Sequence, residues 1–263
     1  MSVKLPLTAL VTSRNEADLL GRCLESIAFC DEVIVIDVES RDETAAVARA
    51  HGARIVEHAY VPIAEAARVT VAPQAKHEWL LVVDPDEEVP GELAKEVARL
   101  LPRLPPDVAA VDAPRQYYFR GVPLRGTVWG GPNRRRLLVR RDGVDLLPTI
   151  WGGMRIHEGF RVESLPFTNE TAIRHYWADG YRELISRHRR YLTLEPVDRA
   201  EAGEVTGLKR VVSTPAHAFW QSYVRNCGYR DGSTGLLLSF FWAGFRTAGE
   251  LALLQRLRVE RHA

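Results

Sequence analysis

The chain has 263 residues, 46% of them apolar, and a net charge of +1. That is enough for one large α/β domain or a domain with an appendage, and the balance of charge and hydrophobicity excludes intrinsic disorder. A charge so near zero also argues against general nucleic-acid binding, which needs a basic excess to neutralise phosphates.

Leu7-Thr8-Ala9-Leu10-Val11 is a short apolar run that reads as a buried parallel strand. Asn15 is an expected helix N-cap, with Glu16 and Asp18 in the first turn. Leu19, Leu20, Cys23, Leu24 and Ile27 then recur at helical spacing. Val33-Ile34-Val35-Ile36 is a second strand. Residues 43–51 read as a helix that Gly52 ends. Arg54-Ile55-Val56 is a third strand, a helix over about 63–75 follows, and Trp79-Leu80-Leu81-Val82-Val83 is a fourth. Pro90 then opens a helix to Leu101. This β-α-β-α-β-α-β order predicts a mostly parallel, doubly covered α/β sheet. Ligands of such sheets bind beyond the carboxyl ends of the strands.

The unusual polar residues follow those strand ends. Thr12, Ser13, Arg14, Asn15 and Glu16 come after the first strand; Asp37, Glu39, Ser40 and Asp42 after the second; Asp84, Asp86, Glu87 and Glu88 after the fourth. Three acidic clusters on one edge point to a demand for cations. Asp84 and Asp86, if extended, project to one side, and hard divalent ions take one or two carboxylates plus phosphate oxygens. Glu87 and Glu88 also suit an acidic cap on the helix at Pro90. Asp37 is equally suited to bonding a ribose or base and to closing its own turn, whereas Ser40 and Asp42 suit turn and capping roles. No G-x-G-x-x-G, G-x-x-x-x-G-K-[ST] or G-x-S-x-G motif is present, which disfavours dinucleotide dehydrogenases, P-loop enzymes and α/β hydrolases.

Thr12-Ser13-Arg14-Asn15-Glu16, Arg22-Cys23-Leu24-Glu25-Ser26, Asp31 to Asp37, Ser40-Arg41-Asp42-Glu43-Thr44 and Val83-Asp84-Pro85-Asp86-Glu87 occur in that order. The series resembles family 2 glycosyltransferases of the GT-A fold, in which alanine commonly stands at the position of Pro85. Ile156-His157-Glu158, Arg174-His175-Tyr176, Arg190-Tyr191 and Gly228-Tyr229-Arg230-Asp231-Gly232 extend the similarity over nearly the whole chain, toward the branch of lipopolysaccharide-core β-1,4-glucosyltransferases. The resemblance implies a nucleotide-sugar donor, usually UDP-linked, inversion at the anomeric carbon, and a Mn2+ or Mg2+ ion. It implies that Glu16 and Asp37, with Thr12 and Asn15 beside them, meet the nucleotide. Asp84 would face the ribose or metal-bound water, and Asp86 would hold the metal. Arg68 aligns with a basic donor-site residue, although Val69 replaces the asparagine that often follows. Glu158 is the expected base for the acceptor hydroxyl. His157, Arg136 and Trp129 would serve the diphosphate or acceptor; Trp129 and Trp151 suit stacking on a sugar and buried packing equally, and the alternative roles are a structural histidine for His157 and a solvated charge for Glu158. A sugar-nucleotide nucleotidyltransferase and an inert nucleotide-sugar-binding protein are the alternative readings.

The second half is less regular. Residues 108–119 and 135–139 read as strands and 181–194 as a basic helix. From Thr214 onward two helices are expected, parted near residues 228–232. The expected organisation is a GT-A catalytic domain over 1–195, with a nucleotide-binding half (1–101) and an acceptor half (102–195), followed by a helical region over 196–263. No run reaches the ~18 apolar residues of a membrane span. The nearest, residues 233–245, lacks charges and suits either an interfacial helix on an anionic membrane or a helix buried in the core or a homodimer. Cys23, Cys30 and Cys227 show no metal-ligand spacing, and residues 1–6 lack a signal peptide. A cytoplasmic setting, either free or against the inner face of the plasma membrane, is therefore expected. The acceptor is expected to be a saccharide or lipid-linked saccharide.

Overall fold

The structure is a computed structural model that describes residues 4–131, 133–149 and 153–262. In chain order the elements are β1 (Leu5–Ser13), α1 (Ala17–Ser26), β2 (Cys30–Val38), α2 (Thr44–Ala50), β3 (Arg54–His58), α3 (Ala64–Val71), β4 (Trp79–Val83), β5 (Glu87–Glu88) and α4 (Gly91–Leu100). There follow β6 (Val108–Phe119), β7 (Val122–Pro123), β8 (Asn133–Arg140), β9 (Val144–Leu146), β10 (Met154–Ile156), β11 (Arg161–Ser164), β12 (Ile173–Ala178), α5 (Tyr181–Glu201), α6 (Leu208–Phe219) and α7 (Gly232–His262). The main sheet has the order β3-β2-β1-β4-β8-β6-β12-β5, with β11 and β7 also on β6. β1, β2, β3 and β4 run parallel, and β8 turns antiparallel against β4. The expected mostly parallel sheet is the one found, mixed where β8 joins it.

The chain divides into two compact units. The first comprises residues 1–115 and 134–175, the second 116–133 and 176–263. The expected boundary at 195/196 falls inside α5, which continues through Pro196 to Glu201.

In the first unit, strand alternation feeds two apolar layers. Leu7, Ala9, Val11, Val35, Leu81 and Val83 join α1 and α4 through Leu20, Leu24, Leu93 and Val97. Leu10, Ile34, Ile36, Leu80 and Val82 join α3 through Ala67 and Val71. Each fully buried Leu, Ile or Val contributes about 1.5–3 kcal/mol. These layers fix the strand ends, and with them the loops that carry the polar residues. At the first helix the expectation needs correction. α1 starts at Ala17, and its first turn is capped from another loop, Asp42 Oδ2 accepting the Ala17 N–H at 3.1 Å.

In the second unit α6 begins at Leu208, six residues before the expected start, and runs into a π-helical turn, Trp220–Arg225. The Gly228 to Gly232 segment then makes a tight crossing. A Cβ on Gly235 would stand 1.8 Å from the Gly228 carbonyl oxygen, so only glycine fits there. Asp231 accepts the backbone N–H groups of Arg125 and Gly126 at 2.8 and 2.7 Å. The absence of a span-length run is also corrected, because Gly228–Val259 is long and apolar enough, by length and composition, to cross a membrane.

His188 of α5 is buried among Trp129, Trp177, Phe241 and Phe245, at ring distances of 6.0, 5.7, 4.8 and 4.8 Å. Burial drives its pKa down to about 4, against the carbonyl of Leu184, which favours the charged form. The folded-state value lies below the unfolded ~6.5, so the unfolded chain binds the extra proton between them. Stability is therefore retained above about pH 6.5 and falls by about 3 kcal/mol as pH drops toward about 4. His188→Phe should flatten that acid limb in melting temperature against pH; an unchanged limb would refute the assignment.

Candidate functional site

The loops after β1 and β2 are laced together at the carboxyl edge of the sheet. Asn15 adopts φ 55°, donates its N–H to Ser40 Oγ at 3.0 Å and accepts the Arg41 N–H on Oδ1 at 2.7 Å. Its amide thus braces a turn instead of capping a helix. Glu16 donates its N–H to Thr44 Oγ1 at 3.1 Å, and Thr44 Oγ1 donates to Asp42 Oδ1 at 2.6 Å. Asp37 is buried and accepts the Ser40 N–H at 3.0 Å, closing its own turn. Thr12 lies at the end of β1, 7% exposed, and its Oγ1 is buried without a hydrogen-bond partner. An unmet buried hydroxyl costs about 1–3 kcal/mol, a cost that a ligand at the strand end would remove.

Asp84-Pro85-Asp86-Glu87 is a turn, closed by the Glu87 N–H donating to the Asp84 carbonyl at 2.9 Å. Pro85 occupies the second position, where its fixed φ suits the bend. The two aspartates are therefore not extended neighbours on one side, as the sequence spacing suggests, and they meet different partners. Asp84 is ion-paired with Arg68 through Oδ1 and with Arg135 Nη1 through Oδ2 at 2.9 Å. Burial raises its carboxyl pKa, but Arg135 and Arg68 outweigh that and hold it well below the usual carboxylate range. Asp86, 4% exposed, places Oδ2 3.3 Å from His175 Nε2. Glu87 is not a solvated helix cap. It is 1% exposed, pairs with Arg135 Nε at 3.0 Å and Arg115 Nη1 at 3.6 Å, and accepts the Asp84 N–H at 3.0 Å. His175 reaches the turn because β12 pairs antiparallel with β5, His175 opposite Glu87.

The structure thus brings Thr12, Glu16, Asp37, Arg68, Asp84 and Asp86 to one sheet edge and adds Arg115, Arg135 and His175, which the sequence reading left without roles there. Successive residues of β8 point to opposite faces. Arg135 consequently meets the acidic turn, while Arg136, which the family resemblance assigns to the diphosphate or acceptor, pairs with Asp112 at 3.1 Å. Trp129 belongs to the second unit and is packed in its aromatic core, 4.5 Å from Trp177 between ring centres, so it offers no free face for stacking a sugar. Trp151 lies outside the described residues.

His157 and Glu158 lie at the other end of the sheet. Arg140 pairs with Trp79, the first residue of β4, and the His157 N–H donates to Gly143 just beyond. His157 Nε2 is 2.8 Å from Asp145 Oδ1, and Glu158 is an exposed turn residue. Four strand steps, roughly 13 Å, separate the Trp79 end of β4 from Val83. The structure therefore does not bring Glu158 to the acidic turn. Glu158→Gln is expected to leave the transfer rate within about threefold of the parent. Loss of activity with retained donor binding would restore Glu158 as the base.

A doubly covered, mostly parallel sheet with an acidic turn beyond its fourth strand is the GT-A arrangement. Solved glycosyltransferases share it. One is a mannosyltransferase from Pyrobaculum calidifontis in complex with GDP-Man and Mn2+, with a TM-score of 0.57 and 16% identity over 96% of this chain and 88% of that one. Another is glucosyl-3-phosphoglycerate synthase from Mycobacterium tuberculosis with Mn2+, UDP and glucosyl-3-phosphoglycerate, with a TM-score of 0.51 and 17% identity over 76% and 81%. The model of glycosyl transferase family 2 matches residues 8–157, more than half of the sequence, and the chain belongs to that family. Along its whole length it is 28% identical to the lipopolysaccharide core biosynthesis glycosyltransferase LpsC of Rhizobium meliloti, of which it covers 95%.

Proposed function

We propose that this glycosyltransferase takes its sugar from a nucleotide-linked donor, UDP-sugar in the first instance, and delivers it with inversion to a hydroxyl of a cell-envelope saccharide or its lipid-linked precursor. The observation that carries the reading is the acidic turn at the carboxyl edge, with Asp86 and His175 beside Asp84 and the unsatisfied hydroxyl of Thr12. The full-length similarity to LpsC supports a lipopolysaccharide-type acceptor. Residues 1–101 supply the donor side in this reading, and the acceptor side comes from residues 102–195.

A divalent cation fits the donor set, although among the described residues no group of three or more His, Cys, Asp or Glu side chains is arranged to hold one. Asp86 Oδ2 and His175 Nε2 stand 3.3 Å apart. Adjacent ligands at bonds of ~2.1 Å stand about 3 Å apart, so the pair suits two neighbouring coordination positions. A carboxylate with an imidazole suits Mn2+ better than Mg2+, which prefers oxygen alone. When bound, such an ion neutralises charge developing on the diphosphate leaving group. Arg68 and Arg135 hold Asp84 in its ionised form at the strand end, and each of its oxygens keeps a lone pair for a ribose hydroxyl or a bound water. Asp37 and Thr12 offer an acceptor and a hydroxyl to the nucleoside.

Thermal unfolding of the full chain with UDP-glucose, GDP-mannose and the free nucleotides, with Mn2+ and with EDTA, tests the reading. A donor at about 100 times its Kd adds about 2.7 kcal/mol to the native state. UDP-sugar stabilisation that EDTA removes is expected. Stabilisation by GDP-mannose alone would move the donor to the guanine class, and none by any nucleotide sugar would overturn the proposal.

A further inference from the structure

We propose that the α6–α7 pair docks the protein on an anionic lipid surface, lying along the interface without crossing it. The observations come from the second unit alone and do not depend on the transferase reading. α6 and its π-helical extension expose Leu208, Val212, Trp220 and Val224, with Leu208 and Val212 neighbours one turn apart near the start of α6 and Trp220 and Val224 four residues apart in the extension. α7 adds Leu237 and Phe240 on its own exposed side. Val212 is 76% exposed and Phe240 58%, values far from those of a core. The two helices meet beside Trp220, where the Phe219 ring of the first packs on Phe240 of the second at 4.7 Å. A concentration of exposed apolar side chains of this kind marks an interaction face.

Charge selects the occupant. Between residues 205 and 249 there are five arginines and lysines and one carboxylate, Asp231. That carboxylate is turned inward onto the Arg125 and Gly126 amides. Lys209, Arg225 and Arg230 are exposed beside the apolar residues. An apolar face flanked by basic residues, aromatic at its centre, is the composition that seats a helix at a headgroup boundary rich in anionic lipid. The same helix pair is kept from spanning a bilayer by its inner side. Arg246 pairs with Glu195 at 3.0 Å, and Glu250 accepts from Arg199 at 2.7 Å and from Thr206 at 2.6 Å, tying α7 to α5 and the chain after it through buried charges. Drawing α7 through hydrocarbon would strip those charges of their partners.

Flotation of the full chain with phosphatidylcholine vesicles, with and without phosphatidylglycerol, tests the proposal in the absence of any donor. Binding is expected only with the anionic lipid and should weaken as salt rises. Lys209→Ser and Arg225→Ser should each weaken partitioning about fivefold. Phe240→Ser should weaken it at least about tenfold. All three sites are exposed, so unchanged circular dichroism and melting temperature are expected to accompany the loss. The proposal is overturned by failure to bind the anionic vesicles, by equal binding to neutral ones, or by Phe240→Ser leaving partitioning unchanged. It is also overturned if sedimentation shows a dimer that Phe240→Ser dissociates and that does not bind vesicles.

Discussion

Arg135→Met is expected to destabilise the protein by about 3–5 kcal/mol, while Arg136→Met, one residue along the same strand, costs about 1 kcal/mol or less. Both substitutions remove one positive charge and keep most of the aliphatic stem. They differ in what they leave behind. Arg135 bridges Asp84 at 2.9 Å and Glu87 at 3.0 Å, and Glu87 is 1% exposed. Burial works against the charge of Arg135, but Asp84 and Glu87 more than offset it and hold the guanidinium's pKa above its usual value. Removing the arginine leaves the buried Glu87 with only the longer Arg115 contact at 3.6 Å as an arginine pair and Asp84 with Arg68 alone, which is the costly way to break a buried pair. Arg136 and Asp112 keep 27% and 21% of their side-chain surfaces, so Asp112 left alone is partly solvated. Urea denaturation of the two variants measures the difference. Near-equal costs would mean that the acidic turn is hydrated and that Arg135 is not its counter-charge. The sign of the pH dependence follows from Asp84. Its folded pKa lies below the unfolded ~3.9, so its contribution is fully present above that value. It is lost only as pH falls through the folded value, and between about pH 5 and 8 this pair adds no slope.

The first hundred residues were readable because their signals are local. Unbroken apolar runs such as Trp79 to Val83 can only be buried strands, and that element has the expected bounds. The loops that follow such runs lie at one sheet edge by topology alone, which is why Thr12, Asp37 and Asp84 could be grouped from spacing. The misreadings are non-local. β5 is two residues long and is a strand only because β12 pairs with it from 86 residues away. Without that pairing Glu87 looked like a solvated cap and His175 had no partner. The choice between Arg135 and Arg136 depends on which face of β8 meets the turn, and a one-residue register difference reverses it. Glu158 follows a hairpin, β9 paired with β10, whose root lies at the amino end of β4. Linear motif order holds no record of that reversal. In the second unit the apolar segment after Gly232 was plain in composition. Its division into buried Leu238, Ala243 and Phe245 and exposed Leu237 and Phe240 depends on α5 and α6 as neighbours.

Asp86→Asn should lower the transfer rate by at least about a hundredfold, on the scale of the several kcal/mol that a bound cation contributes at a diphosphate. Asparagine preserves size and a carbonyl oxygen but removes the charge that, on the reading above, holds the ion beside His175. His175→Ala should give a comparable loss by removing the second ligand, and the two changes together should cost little more than either alone, because both remove one ion. The turn itself should survive in each variant. Its closing bond is between the Glu87 N–H and the Asp84 carbonyl, and its counter-charges Arg68 and Arg135 act on Asp84. Calorimetric titration with UDP-glucose separates the roles. In the parent chain Mn2+ should tighten binding, and in both variants that increment should vanish while the metal-independent part remains. Should Asp86→Asn keep a full Mn2+ increment, the cation lies elsewhere, with Asp84 the next ligand to test. Should both parts be lost along with thermal stability, the pair is a structural ion bridge and the site has been misassigned.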